Sequence, residues 1–302
     1  MKTLTEEFIE EIKIAVSKGR ASTAISKDNV FQKGDAEIVA LLDDMVGRLL
    51  LPGSGVDGLE NLEELLAKAE SGKSCLLLLE HYSNFDLTIF ALLARRAGGR
   101  GAQVADALVA IAGAKLNEDN PVVAAFAAAY TRVIIYPGHY LKGLEGEKKR
   151  AEAERAMSIN RAAMRSLEEV KKDGKLVLVF PAGTRYRPWD PETKRGAREI
   201  DSYLRSFDYM CCVALNGEIL RIQKTDMMND LVRRDLALVT AGPVTPCAEF
   251  RERALRRAQE RADLGAVADV ENKKRETVDA VMAELEALHL KAEEKRLRML
   301  AG

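Results

Sequence analysis

Six short apolar runs limit what this chain can fold into. They read CLLLL (75–79), ALVAIAG (107–113), RVIIYP (132–137), KLVLVF (175–180), YMCCVALNG (209–217) and LALVTAGPV (236–244). Continuous runs of this length suit strands buried on both faces, although AQVADALVAIAG as a whole is ambiguous between strand and helix. Helical patterns lie between several of them: LENLEELLAKAESGK, LTIFALLARRAG, VVAAFAAAY and a long charged stretch over 145–173. A strand–helix–strand alternation needs crossovers and therefore parallel pairing. The expected fold is α/β, a largely parallel mixed sheet flanked by helices. Six strand-like runs argue against a plain helical scaffold.

The ends of the chain read differently. Residues 5–18 and 36–51 carry apolar side chains at three- and four-residue spacing, so two helices are expected there. LPGSGVDG (51–58) is the clearest break. A small helical N-terminal region over 1–54 is expected, followed by an α/β domain over 55–302. Residues 249–300 are rich in Arg, Glu, Ala and Leu and read as helix. Within them, FRERALRRAQERADLGAVA mixes both charge signs and reads as solvent-facing rather than membrane-bound.

Charge removes one class of function. Lys plus Arg number 46 and Asp plus Glu 47, so the positive excess of a nucleic-acid binder is missing and no nucleic-acid partner is expected. The N-terminus lacks a signal peptide's apolar core, and no apolar stretch reaches the ~18 residues of a membrane span. A cytoplasmic protein is expected, with any membrane contact peripheral at the inner surface. Cys75, Cys211, Cys212 and Cys247 form no C-x-x-C pair and read as small buried hydrophobes. No Cys/His cluster has ligand spacing, so neither a metal nor a cofactor is expected.

Ligands of open α/β sheets sit at the carboxyl ends of strands. Just beyond CLLLL lie His81 and Asp86, five positions apart. On one continuous helix they would diverge by about 140°. Across a strand–turn–helix junction, with Ser83 or Asn84 capping the helix, the carboxylate returns to the imidazole. Asp86 then holds one ring nitrogen and leaves the other free as a base. H-x-x-x-x-D is also common by chance, and Glu80 is an equally local partner for the same ring. On these residues alone, a structural and a chemical role both stand. His289 sits in a charged helix and reads as incidental.

After KLVLVF comes PAGTRYRP (181–188). A turn on Gly183, followed by Thr184, Arg185 and Arg187, gathers amide N–H groups and guanidinium groups suited to a phosphate. The alternative is a surface turn with solvated arginines.

HYSNFD followed about a hundred residues later by FPAGTR resembles the glycerophospholipid acyltransferase family, with its H-x-x-x-x-D and F-P-x-G-T-R blocks. GTRYRP, IYPGHYLKG, NRAAMRSLEEV and IAGAKLNEDNPVVAAF make the chain most similar to the soluble, plastid-type glycerol-3-phosphate branch, over roughly 55–245. Two positions differ: Glu80 stands where Asn is common, and Ala182 where many members carry Glu. The resemblance implies transfer of a fatty acyl group from acyl-CoA or acyl carrier protein to the sn-1 hydroxyl of glycerol 3-phosphate. His81 would be the base and Asp86 its orienting carboxylate. Arg185 and Arg187 would hold the phosphate, with His139 and Lys142 as second choices. Amides near Gly183 would face the oxyanion. Lys148, Lys149 and Arg150, with Lys171, Lys172 and Lys175, form either a solvated face or a landing surface for the donor. Two other functions fit the same motifs: acylation of lysophosphatidate, and a non-catalytic phosphate- or lipid-binding module.

Overall fold

A computed structural model of the chain describes residues 1–19, 24–262 and 270–301. In chain order the strands are β1 (Phe31–Gln32), β2 (Gly55–Asp57), β3 (Cys75–Leu79), β4 (Leu108–Gly113), β5 (Arg132–Ile135), β6 (Leu176–Val179), β7 (Tyr209–Asn216), β8 (Leu220–Arg221), β9 (Leu231–Val232), β10 (Leu238–Ala241) and β11 (Thr245–Pro246). The helices are α1 (Leu4–Lys18), α2 (Ala36–Leu49), α3 (Leu59–Glu70), α4 (Asp86–Arg96), α5 (Gly101–Asp106), α6 (Ala114–Asp119), α7 (Pro121–Ala127), α8 (Gly146–Lys172), α9 (Ile200–Ser206), α10 (Cys247–Ala262) and α11 (Val270–Ala301).

Among the described residues, nine strands join one sheet in the order β1-β5-β4-β6-β3-β7-β10-β2, with β11 beside β7. β5, β4, β6, β3 and β7 are mutually parallel. The fold is therefore α/β, a mixed and mostly parallel sheet between helices. β8 and β9 form a separate antiparallel ribbon.

The uninterrupted apolar runs are explained by helices on both faces. Leu77, Leu79, Leu176, Leu178, Cys211 and Val213 face a core built with α1 to α5. Their neighbours Leu76, Leu78, Val177, Val179 and Cys212 face a second core with α8, α9, α10 and α11. Strand side chains alternate between faces, so a strand covered on both sides has no solvent face to mark with polar residues. The stretch 102–113, ambiguous in sequence, divides into α5 and β4.

The N-terminal segment contributes to the same architecture. Leu4, Phe8 and Ile12 of α1 and Ile38, Leu42 and Met45 of α2 share one core with Leu77. β1 pairs antiparallel with β5 and covers that edge of the sheet. The Gly-rich break at 51–58 holds β2, which pairs parallel with β10. All four cysteines are buried, and burial pushes the Cys75, Cys211 and Cys247 thiols up to about 12. No helix among the described residues is long and apolar enough to cross a membrane.

Because β5, β4, β6 and β3 run side by side in one direction, the turns that leave them meet along a single edge. The candidate residues lie on those turns.

Candidate active site at the carboxyl edge of the sheet

His81 follows β3 by two residues, and Asp86 is the first residue of α4. The chain between them turns tightly enough to bring His81 Nδ1 to 2.9 Å from Asp86 Oδ2. The same carboxylate accepts from the Ser83 N–H at 2.8 Å, the Ser83 hydroxyl at 2.7 Å and the Tyr82 N–H. A carboxylate surrounded by donors is an acceptor only, so Nδ1 carries the imidazole proton and Nε2 keeps its lone pair. Asp86 is buried, whereas the His81 side chain is 18% exposed, so the free nitrogen lies at the accessible end of the pair. Neither expected residue bonds an N–H of α4 itself, but Ser83 Oγ accepts from the Phe85 N–H at 3.2 Å, one residue ahead of the helix. Phe85 precedes the helix without a side-chain cap, Ser83 binds Asp86, and the Asn84 amide contacts Met227 Sδ. The Ser83 hydroxyl proton goes to the carboxylate that orients the ring.

β3 and β6 are neighbours with Leu78 opposite Val179, so the two motifs leave the sheet together. The His81 ring stacks on Phe180 with centroids 4.0 Å apart. The Tyr186 N–H donates to the His81 carbonyl at 2.8 Å. Between these contacts lies the turn, in which the Gly183 N–H donates to the Phe180 carbonyl at 2.9 Å. Gly183 has φ +67°, a conformation that favours glycine. Its amide is therefore committed within the turn. The N–H groups of Thr184 and Arg185 have no hydrogen-bond partner among the described residues.

Arg185 is part-buried and donates through Nη1 to Asp230 Oδ2 at 3.2 Å. Its Nε and Nη2 have no partner among the described residues. Asp230 is almost fully buried. Burial raises its carboxyl above the ordinary range, while the Gln223 N–H and the Arg185 charge oppose that rise. Nothing in the sequence marks Asp230, 45 positions away, as the partner of Arg185. The Arg187 guanidinium has no ion-pair partner among the described residues. Its backbone is pinned by an N–H donation to Thr193 Oγ1 at 2.8 Å and by the Asp190 N–H at 2.8 Å. Trp189, the only tryptophan of the chain, sits on this pinned turn, 39% exposed, with Lys224 Nζ 6.0 Å from its ring centre.

Lys142 follows β5 and is exposed, without an ion-pair partner among the described residues. β5 stands two strands from β6, about 10 Å across the sheet at ~4.8 Å per strand. The structure thus brings His81, Asp86, Gly183, Thr184 and Arg185 together and leaves Lys142 farther along the same edge. The side chain of His139 lies outside the described residues. Asn160 accepts from the Tyr136 N–H at 2.7 Å and donates to its carbonyl at 2.9 Å, which fixes α8 against the end of β5. Beside it an open groove is lined by Tyr136, Leu141, Ala153, Ala156 and the exposed Met157 and Met164. The basic residues separate into two clusters at opposite ends of α8: 148–150 lie in its first turns, and 171–175 stand about 30 Å away along the axis.

The largest departure from the sequence reading concerns Glu80 and His289. Glu80 is 7% exposed and does not pair with His81. It accepts from His289 Nδ1 at 2.8 Å, from the Tyr82 hydroxyl at 2.9 Å and from the Leu215 N–H at 2.9 Å. His289, read as incidental, comes from α11 and joins the edge of the site. Burial lowers its pKa, but the Glu80 hydrogen bond and charge, with Glu286, outweigh burial and leave it raised. Burial and Glu80 likewise hold the Tyr82 hydroxyl far above its ordinary value. The one trace of this in the sequence is an acidic residue placed directly after a fully apolar run. No group of three or more His, Cys, Asp or Glu side chains suited to a metal occurs among the described residues.

Compared with protein-family models and with curated proteins, the chain matches none.

Proposed function

We propose that the protein is an acyltransferase of the glycerophospholipid type. It moves a fatty acyl group from an acyl thioester, acyl-CoA or acyl carrier protein, to the sn-1 hydroxyl of glycerol 3-phosphate. The observation that carries this reading is the joining of two distant motifs: His81, oriented by Asp86, stacks on Phe180 and is bonded to Tyr186, on either side of the Gly183–Arg185 turn. A base and an anion-binding turn on adjoining strand ends suit a small alcohol that carries a phosphate.

An alcohol is a weak nucleophile at neutral pH, so its proton must leave during attack. His81 Nε2 takes that proton as the hydroxyl oxygen bonds to the thioester carbonyl carbon. Asp86 stabilises the imidazolium. When the tetrahedral intermediate collapses, the C–S bond breaks and the imidazolium returns the proton to the leaving sulfur. The unpartnered Thr184 and Arg185 amides are the candidate oxyanion donors, in place of the committed Gly183 amide. Arg185, with Nε and Nη2 unpartnered, offers a two-pronged grip on the phosphate, and Arg187 adds a second charge. The apolar groove beside Met157 and Met164 gives the acyl chain a surface on the same edge. The reaction is placed in the cytoplasm, with peripheral contact to the membrane that receives the product.

The test is thiol release from acyl-CoA or acyl carrier protein with each acceptor. Release that depends on glycerol 3-phosphate and is lost in His81→Ala is expected. Release with lysophosphatidate alone reassigns the acceptor. Phosphate binding without release under any donor reduces the protein to a binding module.

A further inference from the structure

Glu80, His81 and Tyr82 are consecutive, yet their side chains divide between two networks. His81 pairs with Asp86, while Glu80 and Tyr82 meet His289 of α11. Tyr82 belongs to both. Its N–H donates to Asp86 Oδ2, and its hydroxyl donates to Glu80 Oε1 at 2.9 Å. Its ring lies edge-on to Tyr186 at 6.1 Å, and the Tyr186 N–H holds the His81 carbonyl. The Glu80 carboxylate is buried and fully occupied, by His289 Nδ1, the Tyr82 hydroxyl and the Leu215 N–H of β7. α11 is itself locked at this point, because Asn216 Nδ2 at the end of β7 donates to the His289 carbonyl at 3.1 Å and to Glu293 at 2.9 Å.

We infer that Glu80, Tyr82 and His289 are positioning residues for His81: through them the C-terminal helix α11 fixes the strand exit that carries the base. Removing the His289 donor leaves a buried carboxylate one partner short. The Tyr82 hydroxyl then loses its fixed acceptor geometry, and the Tyr82 N–H that helps hold Asp86 shifts with it. The ring of His81 is disturbed although His289 does not touch it. The groups facing His289 are Glu80 and Tyr82 from the β3 exit, Glu286 and Glu293 from α11, and Lys194, which is paired with Glu286.

This inference rests on the proposed acyl transfer only for its kinetic readout. The full chain has three histidines, so its ring signals can be resolved by NMR without substrate. In the wild type, the His81 ring signals are expected to show an inflection that coincides with the titration of His289. They should move in His289→Ala and in Tyr82→Phe, and return towards wild type in His289→Asn, whose amide replaces the Nδ1 donor. In thiol-release assays, His289→Ala is expected to lower kcat about tenfold and Tyr82→Phe about fivefold, the scale of one lost hydrogen bond, with KM for glycerol 3-phosphate within about twofold. His289→Asn should recover most of the rate. Tyr82→Phe removes a single oxygen and keeps the test open if His289→Ala does not fold. Unmoved His81 signals in both folded variants overturn the inference, whether or not the wild type transfers acyl groups. A wild type that releases no thiol, but whose His81 signals follow His289, overturns the acyltransferase reading and leaves the positioning network standing.

Discussion

The molecule contains two imidazole–carboxylate pairs that start from the consecutive residues Glu80 and His81, and they are built in opposite ways. His81 and Asp86 are joined within one strand–turn–helix unit, and the carboxylate is saturated by neighbouring N–H and hydroxyl groups of that unit. Glu80 and His289 are 209 positions apart and meet only when α11 docks on β7. The first pair leaves a ring nitrogen free at the accessible end. The second spends its hydrogen bonds on Tyr82, Leu215 and the helix. A local pair of this kind is suited to chemistry because the turn that carries it sets its geometry and leaves one ring nitrogen unbonded. A long-range pair is suited to transmitting such shifts.

The two pairs differ most at the base itself. His81→Ala is expected to lower kcat by about a thousandfold or more and to lower the melting temperature, because it removes a stacked ring and one donor to the buried Asp86 carboxylate. Thiol release and a melting curve check both halves, and an active variant would make the two pairs equivalent. Asp86→Asn should cost about a hundredfold or more in kcat, since the amide can donate to Nδ1 and reverse the tautomer. It should also lower stability by about 1–3 kcal/mol, because it disturbs a buried group with several bonds, as denaturant unfolding would show. Arg185→Ala should raise KM for the phosphorylated acceptor about tenfold while kcat changes less. A change confined to kcat would remove Arg185 from the anchor. The smallest effect concerns pH. The folded His289 holds its proton more tightly than an ordinary histidine. Its contribution to stability is therefore complete below about 6.5, the unfolded value, and disappears as pH rises through the raised value. The melting temperature of the wild type should fall over that range, and the fall should be shallower in His289→Asn.

The two pairs also differ in how they could be read in the sequence. The long apolar runs gave β3 to β7 and β10 because strands buried on both faces need no other pattern. β1, β2, β8, β9 and β11 are two or three residues long, too short to show a period, and β1, β2 and β11 pair with strands far along the chain. β2 lies in a Gly-rich stretch that reads as a break. Within the site, His81, Asp86 and the turn at Gly183 were legible because each sits within a few residues of a recognisable strand end. Asp230 and His289 were not, because a single acidic or imidazole side chain in a charged segment has no local feature that names its partner. The expected cap is displaced by one residue: Ser83 Oγ accepts from the Phe85 N–H, just ahead of the helix, while its hydroxyl proton goes to the buried carboxylate of Asp86.

Trp189 gives the molecule a built-in optical reporter. It is the single indole of the chain and stands on the turn that Thr193 and Asp190 hold in place, two residues beyond Arg187. Its emission therefore arises from one turn beside the candidate site, with no second indole to obscure it. An anion that drew Arg187 or Lys224 towards itself would change the field and the water around that ring, so the proposed phosphate contact can be tested by light, without a label and before any bond is made or broken.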